Sequence, residues 1–225
     1  MEFAFEERDS DSPLVELVWR TEIERGGTFT STATSHLEMV ITRQKGVITV
    51  GVRGPETKAS PAPVPEAAEV FGIQFKLGTF MPYLPASELV DNGVSLPEAG
   101  GQSFWLQGAA WTLPDFENAD TFVQRLVRQG ALAHEPIVEA ALRGQVSDLS
   151  ARSVQRRVLR ATGVTQGTLY QIERAKRALM LLQQGTSILD TVEQAGYYDQ
   201  PHLTRSLKYL MGQTPAQISD IRNNE

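Results

Sequence analysis

The 225-residue chain contains no cysteine. That excludes a disulfide framework, a thiolate zinc site, a thiol nucleophile and a CxxC redox switch. It has no run of 18 apolar residues, so no segment reads as a membrane-spanning helix. Its first residues, MEFAFEERDSDSPLVELVWR, are acidic and lack a basic segment followed by an apolar one. A secretory signal is therefore not expected, and the cytoplasm is the default compartment. Histidine is scarce, at three residues. Hydrophobic residues at 41% and charged residues at 21% lie near globular norms, which argues against wholesale disorder. The length allows one large domain or two ordinary ones.

Charge is spread unevenly. The whole chain carries −6, but residues 1–134 hold 10 basic and 18 acidic side chains, whereas residues 135–225 hold 11 and 9. Within 150–210 there are 9 basic and 4 acidic side chains. A whole-chain pI near 5.2 would argue against nucleic acid. Binding is decided by the local field, however, and the asymmetry between the halves carries more weight. The plain alternative for the basic segment is a solvated helical face.

Composition divides the chain at the same place. Thirteen of 17 aromatics precede residue 123, and ten of 12 prolines lie at or before Pro136. The first half reads as β-rich. Strands are expected at Leu14–Trp19, at Leu37–Thr42 and Val47–Val52 around a turn at Arg43–Gly46, at Val70–Phe75 and at Ser103–Gln107. Ser60-Pro-Ala-Pro-Val-Pro65 cannot be a central strand and is expected to be an extended loop. Asp120 is expected to cap a helix with Phe122, Val123, Leu126 and Val127 on its apolar side, ending at Gly130. Pro136 can start another helix, Ile137 to Leu142. From Ser150 the chain is helical almost to its end.

Two short helices there carry the argument. Ser150 is a good N-cap and Gly163 a good terminator, with Val154, Val158 and Leu159 expected on a buried stripe. Arg152, Gln155, Arg156 and Arg160 fall largely opposite. Arginine can bond guanine, and glutamine adenine, through paired hydrogen bonds in the major groove. After a longer helix, Thr168–Gln184, a helix capped by Ser187 ends near Ala195. A turn, Gly196-Tyr-Tyr-Asp-Gln200, leads into Pro201–Leu210, capped by Asp199 or Gln200. Helix, glycine turn and helix make a helix-turn-helix. Its second helix carries His202, Arg205 and Lys208 beside Leu203, Leu207 and Leu210. Two candidate recognition helices thus start about 50 residues apart, which suits two successive major-groove segments on one DNA face.

These stretches resemble the AraC/XylS family of bacterial transcription regulators. The resemblance rests on Ser150-Ala-Arg-Ser-Val-Gln-Arg-Arg157, Ala161-Thr-Gly-Val164, Ile188 through Arg205, and Gly212-Gln-Thr-Pro215. It covers roughly residues 134–223. It implies a DNA-binding domain with two helix-turn-helices joined by a long helix. It also implies base reading by Arg152, Gln155 and Arg156 on the first recognition helix, and by Gln200, His202, Thr204 and Arg205 on the second. Where the family has a regular Ala-containing helix before the first recognition helix, this chain has the polar, glycine-broken Arg143–Asp148. That departure implies an irregular first motif supported by Ile137–Leu142. Tyr197 is the expected core residue of the second turn, since the family packs an aromatic there.

The remaining features suggest little chemistry. His36 and Glu38 are two apart on an expected strand, which could hold a metal inside a cupin-like barrel or could be a hydrogen-bonded pair. No second histidine lies nearby, and no metal or other cofactor is expected. The aromatics Trp19, Phe71, Phe75, Phe104, Trp105, Trp111 and Phe116 could line an effector pocket but suit a core better. Gly51–Gly54 is a turn and not a phosphate loop, and no nucleophile-elbow spacing is present, so no catalysis is expected. The fold expected is α+β in two domains. Residues 1–117 form a β-rich sensory or dimerising domain, barrel- or sandwich-like; 118–133 a connecting helix; and 134–225 an all-α double helix-turn-helix domain. The partner expected is double-stranded DNA. RNA polymerase, a small effector and a second copy held through the N-terminal domain stay open as further partners, and no membrane is expected. The rival reading is a cupin-like ligand-binding protein or enzyme whose helical part serves assembly.

Overall fold

The computed structural model describes residues 5–146 and 149–223, with side chains through 220. In chain order, the strands before the first helix are β1 Phe5–Arg8, β2 Val15–Ile23, β3 Gly27–Ser31, β4 Glu38–Gln44, β5 Val47–Arg53, β6 Ser60–Val64, β7 Ala68–Phe75 and β8 Thr79–Phe80. Then come α1 Ala86–Leu89, β9 Gly93–Leu96, β10 Ser103–Leu106, β11 Ala109–Thr112, α2 Ala119–Arg128 and β12 Ala133–His134. The rest is helical: α3 Ile137–Leu142, α4 Ala151–Thr162, α5 Gln166–Gln183, α6 Ile188–Gln194, α7 Gln200–Met211 and α8 Pro215–Asn223. The β-rich first part and helical second part are those read from composition. They pack as two compact units. One comprises the chain up to Thr28, His36–Pro55 and Pro63–Gln166; the other comprises Phe29–Ser35, Glu56–Ala62 and the chain from Gly167 on.

The first unit is built on an antiparallel six-stranded sheet in the order β1-β2-β7-β4-β5-β9. Period-two alternation explains its two faces. Phe71, Ile73 and Phe75 of β7 join Met39 and Ile41 of β4 and Val50 and Val52 of β5 in one apolar core. The intervening Val70 and Val40 join Ile23 and Val64 in a small cluster on the opposite face, against Trp19. The β4–β5 hairpin turns through Lys45 and Gly46, both at positive φ (50° and 80°), as a two-residue turn of right-handed strands requires. The hairpin β10–β11 and helix α2 supply Phe104, Leu106, Trp111, Ala119, Phe122, Val123 and Leu126 to the main core. The Trp111 indole N–H donates to the Leu106 carbonyl at 3.0 Å, so its polar tip is satisfied in the interior.

Four local readings need correction. Ser60–Val64 is a strand, not a loop, and it pairs with β3 in a two-stranded sheet. Its prolines at 61 and 63 are two apart, so both missing N–H groups fall along one edge and leave the paired edge intact. Asp120 does not cap α2. Asn118 holds that position, while Asp120 in the first turn bonds Ser10 and forms a 2.8 Å ion pair with Arg8. Val127 lies outside the α2 stripe and is 42% exposed, its place being taken by Ala119. Leu159 is 49% exposed, because five residues from Val154 turn the helix about 140° off the buried face; Ala161 and Thr162 complete the stripe instead.

The aromatic residues are mostly core. Phe71, Phe75, Phe104, Trp111 and Phe116 are buried, whereas Trp105 is exposed. His36 Nδ1 lies 2.9 Å from the Phe75 carbonyl, and Glu38 accepts the Trp19 indole N–H at 2.8 Å, so both are tied into the sheet.

The Trp19 ring lies where a side chain at Gly72 would stand, 2.2 Å from an ideal Cβ. Gly72→Ala should therefore destabilise the protein by about 1–3 kcal/mol. Gly51→Ala, whose Cβ would stand an ordinary 3.8 Å from the Val40 carbonyl oxygen, should cost less. Urea midpoints of the two variants make the comparison. Burial pushes the Asp120 carboxyl up, but hydrogen bonds from Ser10 and Arg8 and the Arg8 charge hold it below its usual value on balance. A lowered folded-state pKa stabilises above the unfolded value and ceases to do so as pH falls. The thermal-stability advantage of the wild type over Asp120→Asn should therefore be constant near neutrality and shrink below pH about 4.

Candidate nucleic-acid interface

The first candidate reading element, α4, forms as its end signals dictate. Ser150 Oγ accepts the Ser153 N–H at 3.3 Å, and Gly163 leaves the helix at φ 73°. Val154, Val158 and Ala161 are buried, while Arg152, Gln155, Arg156 and Arg160 are exposed. The helix rests within the first unit. Gly163 approaches Ala86 so closely that a Cβ would stand 2.4 Å from its carbonyl oxygen. Arg160 lies over the Phe80 ring at 5.7 Å. Helix α3 packs against α4, and the turn after α4 is tied back to it by Gln166, which donates to the Ala141 carbonyl at 2.8 Å. Of the polar segment before α4, residues 147 and 148 lie outside the described residues.

Arg157 was not singled out from sequence, and it holds α4 in place. Its guanidinium donates to both Glu135 oxygens, at 2.7 and 2.8 Å, and that pairing raises its pKa further. It follows Val154 by three residues and precedes Val158, at the border between the buried and exposed faces. That position is the available sequence signal.

The second element is the α6–turn–α7 motif in the other unit. Ser187 caps α6 by accepting the Asp190 N–H at 3.1 Å. Gly196 turns the chain at φ 71°. Asp199 caps α7 by accepting the His202 N–H at 2.7 Å, and Pro201 occupies the first turn. Leu203, Leu207, Leu210 and Met211 are buried with Ile172, Ala175, Ala178 and Leu182 of α5, Ala195 and Tyr197. Tyr197 is in the core, its hydroxyl 3.0 Å from Ser206 Oγ; Tyr198 is 91% exposed.

On the outer side of α7, Arg205 and Lys208 are exposed and His202 is half-buried; Thr204 is half-buried at its flank, and Gln200 is exposed at its first residue. Two of these have internal partners. Lys208 Nζ donates to the Gly212 carbonyl at 3.0 Å, at the negative end of the helix. His202 stands edge-on to Tyr197 with ring centres 5.1 Å apart, and its Nε2 lies 3.5 Å from an Arg174 amino group. Arg174, on α5, lies over the Tyr197 ring at 4.2 Å and within 3.4 Å of the Gly196 carbonyl. It connects the long helix to the turn, and it too sits beside the apolar stripe, next to Ala175. Capped amphipathic helices with arginine and glutamine outward are what groove readout needs.

Residues 145–220 match the family profile described as a helix-turn-helix domain. They are an AraC-type helix-turn-helix domain. A domain of this type supports DNA binding and transcription regulation, with double-stranded DNA as the partner. Among solved structures, the chain is similar to ToxT from Vibrio cholerae, at 10% identity over 97% of this chain and 98% of that one, with a TM-score of 0.40. An apo variant of ToxT is similar at 9% identity over 95% and 99%, with a TM-score of 0.43. No curated protein matches. Among the described residues, no helix is long and apolar enough to cross a membrane.

The Glu135 side chain is 17% exposed and faces the Arg157 guanidinium. Glu135→Gln should lower thermal stability, and the loss should shrink as salt is raised, because the arginine is partly exposed. Thermal denaturation compared with the double variant Glu135→Gln/Arg157→Gln separates the pair from the loss of either group. The two variants should differ little if the pair is what stabilises.

Proposed function

We infer that this chain is a sequence-specific regulator that reads successive major-groove segments with α4 and α7. The observation that carries this is α7. Its leucine face is buried, Arg205 projects from the opposite, exposed side, and Gln200 is exposed at the start of the helix, beside its Asp199 cap. In this reading Arg152, Gln155, Arg156 and Arg160 act from α4, and Gln200, His202, Thr204, Arg205 and Lys208 from α7. Phosphate contacts position both helices, and base contacts supply the sequence preference. The division of labour proposed gives DNA contacts to residues 134–225, linkage to 118–133, and sensing of a small effector or self-association to 1–117. The protein works in the cytoplasm, where RNA polymerase is the partner that turns site occupancy into regulation, and no chemical step belongs to its role.

Selection from a random duplex library with the full chain, followed by titration at two salt concentrations, tests the reading. The expected result is a site bound at least about 10³-fold tighter than scrambled DNA, with a steep salt dependence. No enriched site would overturn it. Arg205→Ala should weaken the selected site by about 1–3 kcal/mol and relax its sequence preference at one position. An unchanged affinity and preference remove Arg205 from the reading surface.

A further inference from the structure

Two segments of the N-terminal half, taking in parts of the paired strands β3 and β6, are built into the unit that contains α7. One, Phe29–Ser35, precedes β4; the other, Glu56–Ala62, follows β5. The Ala33 N–H donates to the Leu210 carbonyl at 2.7 Å, and the Ala59 N–H donates to the Tyr209 carbonyl at 2.9 Å. These carbonyls belong to the last turn of α7, where a helix has no N–H donors of its own to offer them. The segments are tied to each other as well. Thr34 and Glu56 exchange two backbone hydrogen bonds at 3.0 and 2.9 Å, and Ser31 Oγ donates to Glu56 at 2.6 Å. Ala33 is 2% exposed within the α5–α7 core, and the Ser35 hydroxyl bonds Glu173 on α5. Fit is close at the helix end. A Cβ on Gly212 would stand 2.7 Å from Thr30 and 3.3 Å from Ala59.

We propose that Phe29–Ser35 and Glu56–Ala62 are a brace belonging to the second DNA-reading element, and that Ala33 and Ala59 are positioning residues for α7. The brace grips the end of α7 remote from its cap and, through Ser35, the helix α5 on which α7 packs. It fixes the rotation and pitch of α7, on which alignment of Gln200 and Arg205 with base edges depends. Neither segment needs to touch DNA. The proposal rests on the reading of α7 as a base-contacting helix, and it makes the functional DNA-binding unit discontinuous in sequence.

Full-length protein is used throughout the test. In Ala59→Pro the donor to Tyr209 is gone, while Ala59→Ser keeps it. The expected result is a loss of about tenfold for the selected duplex in Ala59→Pro, with affinity for scrambled duplex and the salt slope unchanged, and near wild-type binding in Ala59→Ser. A purely stabilising brace would lower the melting temperature and leave the ratio of specific to scrambled binding alone, which overturns the positioning role. Native-state hydrogen exchange on the wild type can still refute the brace if Ala59→Pro fails to fold. The amides of Ala33 and Ala59 should open together with those of Leu207 and Leu210. Rapid exchange at 33 and 59 beside a protected α7 would refute the brace. If the wild type selects no DNA site, the functional reading fails, and the exchange experiment still judges the brace.

Discussion

A helix of twelve residues does not persist alone in water, and α7 has that length. It exists because Leu203, Leu207, Leu210 and Met211 are removed from solvent. The rest of its unit serves that burial. Ala175, Ala178 and Ala195 are small where helices meet, so α5 and α6 can approach α7 closely, while Ile172, Leu182 and Tyr197 fill the space between. Caps at Ser187 and Asp199 then decide where each helix starts. Once the apolar side is fixed, the direction of the polar side follows from the 3.6-residue repeat, and the exposed Arg205 needs no partner to hold it outward.

The first candidate reading helix obeys a different constraint. Its buried side is short, with Val154, Val158 and Ala161, and it is supported by contacts specific to its surroundings. The Arg157–Glu135 pair, the Phe80 ring under Arg160 and the bare backbone of Gly163 against Ala86 all belong to the unit that holds the sheet. Both helices present exposed arginine and glutamine beside a buried apolar stripe. They do so on unlike supports.

Features governed by local rules were legible in the sequence. The hairpin at Lys45–Gly46 and the caps of α4, α6 and α7 follow from residue types at fixed offsets, and the burial of Tyr197 followed from the AraC-type resemblance. Features resting on chain segments far apart were not. Glu135 and Arg157 are separated by 22 positions, and Ser35 and Glu173 by 138. Ala33 and Ala59 act through backbone N–H groups, which every residue but proline has, so nothing in their side chains announces the role. Ser60–Val64 was misread because its prolines forbid a central strand but not an edge. Leu159 was misread because an apolar residue was assumed to lie inward where the helical angle turns it out.

Because residues 29–35 and 56–62 belong with residues 167–225, the two units are interleaved along the chain. During synthesis the sheet strands on either side of these segments emerge first and can pair with one another. The segments must then wait, with their inward groups unsatisfied, until more than a hundred further residues have been made. Closing contacts over such separations is slow compared with forming α5 or α7 locally. Docking of the two segments on the end of α7 is thereby a late step. A chain cut short before its C-terminal helices would expose Ala33 and its neighbours to water, a distinguishing mark by which quality control could sort unfinished copies from complete ones.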